Sequence, residues 1–373
     1  MKALTFATSL LILSVAAYSQ QQSREKSPVV YETRAPYAPS TYVCYKLPSP
    51  ITIDGKISPE EWDAIPWTND FVDMMGDKGP KPYLQTRVKM AHDDDGMYFA
   101  AWMEEPHLWA TFTNHDAPLY QENAFEFFVD PSNNTHNYLE YEINALGTEW
   151  DLFLNKPYRD APMIILSNWE FLGMKSAVYI DGTVNNPQDR DKFWSVEIFI
   201  PWQSVYQVTN IRRNKPADGD QMRVNFQRVE WTLDVRDGKY VKIPMPGEQR
   251  LRSHFWLWSP IEAGTSHAPE YWGYVQFTDK TAGIETVPFV KDTDEDIRWA
   301  LRNLYFRQAE YRKATGSYAT SIAELKPEEV CTPEESKALT LHTTPSFYEI
   351  ILPVNGKTWH ISQDGMVWYV LSE

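Results

Sequence analysis

Short runs in which polar and apolar residues alternate recur along most of this chain, and they constrain its fold more than any other feature. Successive side chains of a strand point to opposite faces, so a period of two predicts a strand with one buried face. Such runs recur from residue 51 to 278 between turn-forming residues, as in AFEFFVD (124–130) and YLEYEIN (138–144). Many short strands of this kind predict an all-β antiparallel sandwich of the jelly-roll type.

The character of the sequence changes near Pro288. Residues 293–314 carry acidic residues first and basic residues last, and Gly316 follows, which predicts a helix of about twenty residues. Three strands should follow this helix, with turns at Asn355-Gly356 and Asp364-Gly365. We therefore expect a small C-terminal α+β extension over 288–373, which docks on the first unit because its own core is small.

The N-terminal region predicts export. Lys2 is followed by an apolar run over 4–17 that is too short to cross a bilayer, and small residues follow at the spacing of a cleavage site. A secretory signal peptide is expected over 1–19, and with it a secreted or periplasmic location without a later membrane span. Residues 20–47 are polar and then rich in proline, which predicts a lead-in arm before the sandwich.

A short helix is the exception among the predicted strands. In SPEEWDAI (58–65), Ser58 is an N-cap candidate and Glu61 lies three residues further on. This spacing predicts a capping box, in which the two side chains each bind a backbone N–H of the first turn.

Charge and cysteine content narrow the classes of partner. The formal net charge is −16, which excludes nucleic acid and acidic membranes as partners because they need basic patches. Neutral glycans and divalent cations remain compatible with this charge.

The only cysteines, Cys44 and Cys331, allow one disulfide, and nothing local shows whether they pair. Aromatic residues make up 14% of the chain, and we expect most in the core and some as stacking platforms.

A layer of polar side chains is expected on one face of the sandwich. Alternation directs Leu139, Tyr141 and Ile143 to the core and their neighbours to the opposite face. Four readings stay open for this polar face: a solvated surface, a catalytic pair, a metal site or a sugar-binding floor. The polar set on the candidate strands comprises Glu126, Glu140, Glu142, Asn144, Ser195, Glu197, Arg223, Asn225 and Gln227.

The chemistry of single residues separates some of these readings. Residues two apart on a strand stand roughly 6.5–7 Å apart, which lies within the range for an inverting glycosidase. Glu140 and Glu142, however, offer no obvious split between an acid and a base, which disfavours catalysis. The Asp130 loop offers clustered oxygen ligands, so Asp130 and Asn133 are candidates for a structural Ca²⁺. Asp and Asn are also common turn residues.

Several motifs follow one another in the order of a known family. They are ITIDGKISPEEWDAIPW (51–67), NAFEFFVDP (123–131), YLEYEIN, WSVEIFIPW (194–202), MRVNFQRVEW (222–231) and WLWSPIEAGTSHAPEYWGYVQF (256–277). Over about 48–280 the chain resembles carbohydrate-binding module family 9 of the DOMON-like superfamily, most closely its exported Bacteroidetes type. The resemblance implies an antiparallel β-sandwich without catalytic residues.

The resemblance also implies candidate ligand-binding residues. Tyr120 matches an aromatic residue that stacks on a sugar, and Glu126 matches a family glutamate. A polar triplet of the family matches Glu140, Glu142 and Asn144, where Glu142 replaces an arginine. The second stacking tryptophan falls near Ser266, and three aromatic candidates lie close to it in sequence: Trp258, His267 and Trp272.

The expected function is therefore glycan binding that serves polysaccharide capture or breakdown alongside glycoside hydrolases. One alternative is a glycoside hydrolase that uses the paired glutamates on O-glycosyl bonds. Another is a haem-binding electron carrier, since some DOMON-like relatives hold haem between Met and His side chains. A protein partner that docks on the helix at 293–314 is a further prediction. The haem candidates in this chain are Met90, His92, Met103 and Met222.

Overall fold

The computed structural model describes residues 29–32, 34, 38–211 and 213–372, so the predicted signal peptide over 1–19 lies outside the described residues. Within the described residues the strands are, in chain order, β1 (Thr41–Lys46), β2 (Val72–Asp73), β3 (Thr86–His92), β4 (Gly96–Glu104), β5 (Ala124–Asp130), β6 (Tyr138–Asn144), β7 (Glu149–Leu154), β8 (Ile165–Leu166), β9 (Lys175–Asp181), β10 (Phe193–Pro201), β11 (Gln221–Trp231), β12 (Leu233–Arg236), β13 (Lys239–Lys242), β14 (Ser253–Leu257), β15 (Gly273–Thr281), β16 (Thr340–Thr343), β17 (Tyr348–Val354), β18 (Lys357–Ser362) and β19 (Val367–Leu371). The helices are α1 (Pro59–Trp62), α2 (Trp202–Tyr206), α3 (Asp294–Thr315) and α4 (Pro333–Ala338). Among these, no helix is both long and apolar enough to cross a lipid bilayer.

One large sheet folds onto itself to form the sandwich. Its strand order is β8-β7-β6-β5-β11-β15-β1-β3-β4-β10-β9, and β14 pairs with both β11 and β2. Phe99 on β4 packs against Phe127 on β5 and Phe226 on β11, with ring centroids 5.3 and 4.9 Å apart. Strands that are distant in the sheet order therefore face each other across the core, and the prediction of an all-β sandwich is confirmed.

Strand β1 is the exception to antiparallel pairing. It runs parallel to β15 along its length and parallel to β3 over two residues. Tyr42 and Cys44 on this strand are buried in the main core. The segment 20–47, predicted to be a lead-in arm, therefore ends in a strand of the sandwich. The sequence pattern did not predict this strand, because TYVCYK is too short for its periodicity to be distinctive and a proline-rich stretch precedes it.

A buried carboxylate clamps the segment that opens the sandwich. ITIDG (51–55) alternates like a strand but forms none. Instead, the backbone N–H groups of Asp54 and Gly55 each donate to Glu197 Oε2 at 2.9 Å, and Trp62 Nε1 donates to Glu197 Oε1 at 2.7 Å. Gly55 has a φ of 84°, and a Cβ atom there would lie 2.5 Å from the backbone of β9. The Ile-Asp-Gly to Trp motif is thus an anchor for β10.

Helix α1 forms as predicted, but the capping box does not. The Ser58 side chain makes no cap hydrogen bond to the helix backbone. Its hydroxyl donates to Glu61 Oε2 at 2.9 Å, while Glu61 Oε1 accepts the N–H of Thr52 at 2.9 Å. The glutamate therefore ties the helix to the preceding segment instead of capping it.

The inner and outer faces of the β5–β6 pair both lie in the protein interior. The inner face joins the main core through residues that alternation predicted correctly: Phe125, Phe127, Val129, Leu139, Tyr141 and Ile143. On the outer face, Phe128 and Tyr138 belong to a smaller apolar cluster together with Trp272. Segments that follow β14 therefore cover the face that carries the polar residues.

The C-terminal unit contains α3 and a four-stranded sheet. The helix ends where predicted, at Gly316, which has a left-handed φ of 83°. The sheet order is β16-β17-β18-β19, so the prediction of three strands missed β16, whose four residues carry little alternation. Ile297, Leu301 and Leu304 of α3 lie in the core of this unit. The apolar stripe of α3 is thus used inside this unit, and a protein partner that docks on the helix stays a prediction.

Buried polar contacts join α3 to the sandwich. Arg223 on β11 pairs with Glu295 at 2.9 Å, and both side chains are almost fully buried. Arg302 donates to the hydroxyl of Thr135 at 3.0 Å, and the Tyr305 hydroxyl donates to Asp160. The expectation that this unit packs on the first one matches these contacts.

The cysteines do not pair. Cys44 and Cys331 are both free. Cys44 lies in the main core, whereas Cys331 packs at the edge of the C-terminal core.

The clamp predicts how stability depends on pH. Burial raises the pKa of Glu197 to about 7 although three N–H groups donate to it. The folded protein thus binds a proton at Glu197 more tightly than the unfolded chain does. Protonation of Glu197 therefore stabilises the fold fully below about pH 4.5, and this contribution is lost as pH rises to about 7. The free energy of unfolding of the wild type minus that of Glu197→Gln should fall across this window. A difference that rises with pH in denaturant titrations would contradict the prediction.

The interface between α3 and the sandwich predicts that replacing Glu295 destabilises the protein far more than replacing the next residue, Asp296. Glu295→Ala removes the buried carboxylate that pairs with both Arg223 and Arg298, so it should lower the free energy of unfolding by about 3 kcal/mol. Asp296→Ala is the matched control, because Asp296 is 79% exposed in its pair with Lys291. Similar losses for both variants would show that the buried pair does not secure the helix.

Candidate functional site

A row of polar and aromatic side chains crosses four strands on the outer face of the sheet. Gln227 lies opposite Glu126, Glu126 opposite Glu142, and Glu142 opposite Trp150. Directly paired residues of neighbouring strands project from the same face. The strand register therefore brings together residues that lie as much as 101 positions apart in sequence.

These side chains line a pocket of about 390 Å³. Its polar part consists of Glu126, Glu140, Glu142 and Gln227, together with Ser266 and His267 from the segment after β14. Its aromatic part contains Tyr120 and Tyr158, which are 44% and 37% exposed. The ring of Trp150 lies 6.1 Å from that of Tyr120 at an interplanar angle of 31°. The pocket thus offers aromatic surfaces above a polar floor.

Hydrogen bonds orient part of the floor. Gln227 Nε2 donates to Glu126 Oε2 at 2.5 Å, and the Ser266 hydroxyl donates to Gln227 Oε1. These two bonds hold the Gln227 amide between Ser266 and Glu126.

His267 is held against the floor and one aromatic wall. Its Nδ1 lies 3.0 Å from the Tyr138 hydroxyl, and its Nε2 lies 3.9 Å from Glu140 Oε1. Its ring centroid lies 4.1 Å from that of Tyr158. Burial lowers the pKa of His267 to about 3, so the imidazole is neutral at neutral pH.

The carboxylates of the floor are held in an unfavourable environment. Burial raises the pKa of Glu140 to about 8. Burial and the Glu140 charge raise the pKa of Glu126 well above its usual range, and burial and both neighbouring carboxylates do the same to the pKa of Glu142. Three carboxyl groups in close contact thus resist full ionisation.

Asn144 has a structural role on the same face. Its Nδ2 donates to the Phe112 carbonyl at 2.9 Å and to Glu122 Oε1 at 2.7 Å. Its Oδ1 accepts the N–H groups of Leu146 and Thr148, each at 3.0 Å. Asn144, expected in the ligand floor, therefore holds the turn after β6 and the loop that leads to Tyr120.

Arg223 and Asn225, predicted to join the polar face, are also engaged elsewhere. Arg223 donates to the Pro269 and Glu270 carbonyls and pairs with Glu295. Asn225 exchanges hydrogen bonds with the backbone of Ser259, donating at 2.9 Å and accepting at 3.0 Å. Both residues anchor the segments that cover the sheet.

The tryptophans predicted to stack on a ligand are core residues. Trp258 is 4% exposed and Trp272 is fully buried. Trp272 Nε1 donates to the Ser266 carbonyl at 2.9 Å. Trp272 therefore supports the segment that carries Ser266 and His267, and of the three predicted aromatic candidates His267 is the one among the pocket-lining residues.

The residues predicted to hold a structural calcium are already engaged. Asp130 accepts the N–H groups of Ser132 and Thr135 at 3.2 and 2.7 Å. Asn133 Oδ1 accepts the Arg223 N–H at 2.8 Å. These contacts stabilise the turn after β5, and the geometry adds no support for an ion there, so Ca²⁺ at this loop stays a prediction.

The haem candidates are likewise used in packing. Met90, Met103 and Met222 belong to the main core. His92 Nε2 lies 2.9 Å from the Thr278 carbonyl. The haem prediction gains no support from these positions.

Sequence reasoning missed several residues of the pocket. Trp150 alternates with Leu152 on β7 and could have been found from the register of that strand with β6. Tyr158 lies between β7 and β8, and Phe255 lies on β14. Neither carries such a signal, because both reach the pocket only through the fold.

The comparisons with known proteins agree on a family. The sequence model described as "Carbohydrate family 9 binding domain-like" matches residues 53–240, about half of the chain. The protein belongs to this family of binding domains. The matched segment contains Tyr120, the three glutamates of the pocket and Gln227. No curated protein sequence matches the chain.

Three solved structures are similar to it at low identity. A protein of Bacteroides uniformis ATCC 8492 with a proposed carbohydrate-binding role is 19% identical, with a TM-score of 0.47, over 64% of this chain and 100% of that one. The family 9 carbohydrate-binding module of Caldicellulosiruptor kristjanssonii in complex with cellotriose is 16% identical, with a TM-score of 0.41, over 68% of this chain and 100% of that one. The structure of that module in complex with glucose is 17% identical, with a TM-score of 0.40, over 66% of this chain and 100% of that one.

The role of Asn144 predicts a loss of stability on substitution. Asn144→Ala leaves a backbone carbonyl, two N–H groups and Glu122 without this partner, so the free energy of unfolding should fall by about 2 kcal/mol. Asn214→Ala is the control, because Asn214 is exposed and should change little. Thermal or denaturant unfolding measures both, and an unchanged Asn144→Ala protein would contradict the structural role.

Proposed function

We propose that this protein binds carbohydrate, without catalysing its cleavage, in the pocket formed by β5, β6, β7 and β11. The observation that carries the proposal is the pairing of exposed aromatic rings with a buried polar floor inside the matched family segment. A sugar ring presents apolar C–H faces and hydroxyl edges, so it needs both kinds of surface at once.

The size and chemistry of the pocket support this ligand class. A volume of about 390 Å³ falls at the lower end of the range of about 300–1,000 Å³ for small-molecule sites. Tyr120 and Trp150 supply adjacent rings inclined by 31° to each other. Glu126, Glu140 and Gln227 supply acceptors and a donor that hydroxyl groups can pair with.

The electrostatic environment of the carboxylates favours binding over hydrolysis. One oxygen atom from each of the three glutamates lies within 4.8 Å of the others, so the three carboxyl groups share one environment. Burial raises the pKa of all three glutamates in the same direction, so no acid and base are separated.

A wider role follows from this proposal. A non-catalytic sugar pocket in an exported protein would serve polysaccharide capture or breakdown alongside glycoside hydrolases. The predicted signal peptide over 1–19 supports this role, and the net charge of −16 is compatible with neutral glycans.

The test is calorimetric titration of the purified protein with neutral and acidic mono- and oligosaccharides, with calcium present, after a glycan array has chosen the candidates. Tyr120→Ala and Trp150→Ala should each weaken binding by about 10-fold, equivalent to about 1.4 kcal/mol, because each removes a stacking surface.

Tyr369→Ala is the matched control, since Tyr369 on β19 is also 44% exposed and lies in the C-terminal sheet. Its affinity for sugar should equal that of the wild type. A folded protein that binds no glycan would refute the function, and an equal loss in all three variants would refute the pocket.

A further inference from the structure

The floor of the pocket brings three carboxyl groups together without a basic partner. Glu126 and Glu142 stand directly opposite each other on β5 and β6, and Glu140 completes the cluster. Like charges in this arrangement destabilise a sheet. Among the described residues that line the pocket, none is a lysine or arginine.

A second observation points to a ligand-binding role for this floor. Glu142 is 2% exposed, and its Oε2 atom has no hydrogen-bond partner among the residues that the structure describes. An unpaired buried carboxylate oxygen is costly, so native proteins seldom keep one without a partner. Glu142 is one of the residues that line the pocket, so the unpaired oxygen belongs to a side chain of the pocket floor.

The geometry of the cluster suits a calcium ion. One oxygen from each glutamate lies within 4.8 Å of the other two. Some point in space is therefore no more than about 2.8 Å from all three, close to the calcium–oxygen distance of about 2.3–2.6 Å. Calcium accepts all-oxygen sites of irregular shape, whereas zinc prefers nitrogen and sulfur ligands and magnesium demands a near-ideal octahedron.

We propose that Glu126, Glu140 and Glu142 bind a calcium ion in the floor of the pocket, and that the sugar coordinates this ion through neighbouring hydroxyl groups. The second half rests on the proposed function; the ion site does not. Calcium takes about six to eight oxygen ligands, so three carboxylates leave positions that face the pocket. The ring of the sugar then lies against Tyr120 and Trp150. This site is distinct from the Asp130 loop, where calcium was expected from sequence.

The first arm tests the ion alone. Chelator-treated wild-type protein is titrated with calcium chloride by calorimetry, without sugar. Glu142→Gln should weaken calcium binding by at least about 30-fold, since even outer partners of metal ligands contribute about 10–100-fold to affinity. Glu60→Gln is the matched control, because Glu60 is exposed on α1 and should leave calcium affinity unchanged.

A separate readout guards against misfolding. Glu142→Gln removes repulsion between opposed carboxylates, so without calcium it should melt at the same or a higher temperature than the wild type. Calcium should raise the melting temperature of the wild type and not that of the variant. Undiminished calcium binding by a folded Glu142→Gln protein, or none by the wild type, overturns the site.

The second arm joins the ion to the sugar. A sugar that the wild type binds should lose at least about 10-fold in affinity when a chelator is added and regain it with excess calcium. Sugar binding that ignores the chelator overturns the calcium bridge and leaves the proposed function intact. Calcium binding without any sugar binding refutes the function and supports the ion site. Glucosamine binding that needs Glu142 but no calcium would assign the cluster to an ammonium group and overturn the metal.

Discussion

The antiparallel register between β5 and β6 is the interaction on which the site depends. It sets Glu126 against Glu142, although the two carboxylates repel each other. The register cannot shift by one residue, because every apolar side chain of the inner face would then turn away from the main core. Burial of six large apolar residues on that face thus holds a charged arrangement that neither strand would adopt alone.

A second layer of chain converts this sheet face into a pocket. Asn144 and Glu122 hold the loop that leads to Tyr120, and Asn225 holds the segment that follows β14 through the backbone of Ser259. Without this cover, the glutamates would be ordinary solvated side chains. With it, they lose water, and burial raises the pKa of each. The cover is therefore what makes ionisation of the three glutamates unfavourable.

Alternation identified the faces of the strands correctly but could not assign partners. Glu142 and Glu197 show the same pattern in sequence, yet Glu142 faces the pocket while Glu197 clamps the Ile-Asp-Gly segment on the other half of the sheet. Arg223 was expected beside the glutamates and instead pairs with Glu295 of α3, about seventy residues later. A period of two reports which side of a strand a residue occupies, and not what covers that side.

The sequence by itself determined the β-sandwich, the core face of β5 and β6 and the long C-terminal helix, because periodicity and turn residues are local properties. The order of its motifs also indicated the family. Only the tertiary structure decided that Trp150, Tyr158, Gln227 and Ser266 share one pocket with the glutamates. These residues come from four separate segments, and their meeting depends on strand register and loop packing. The same long-range packing decided that Trp258 and Trp272 support the fold and do not face a ligand.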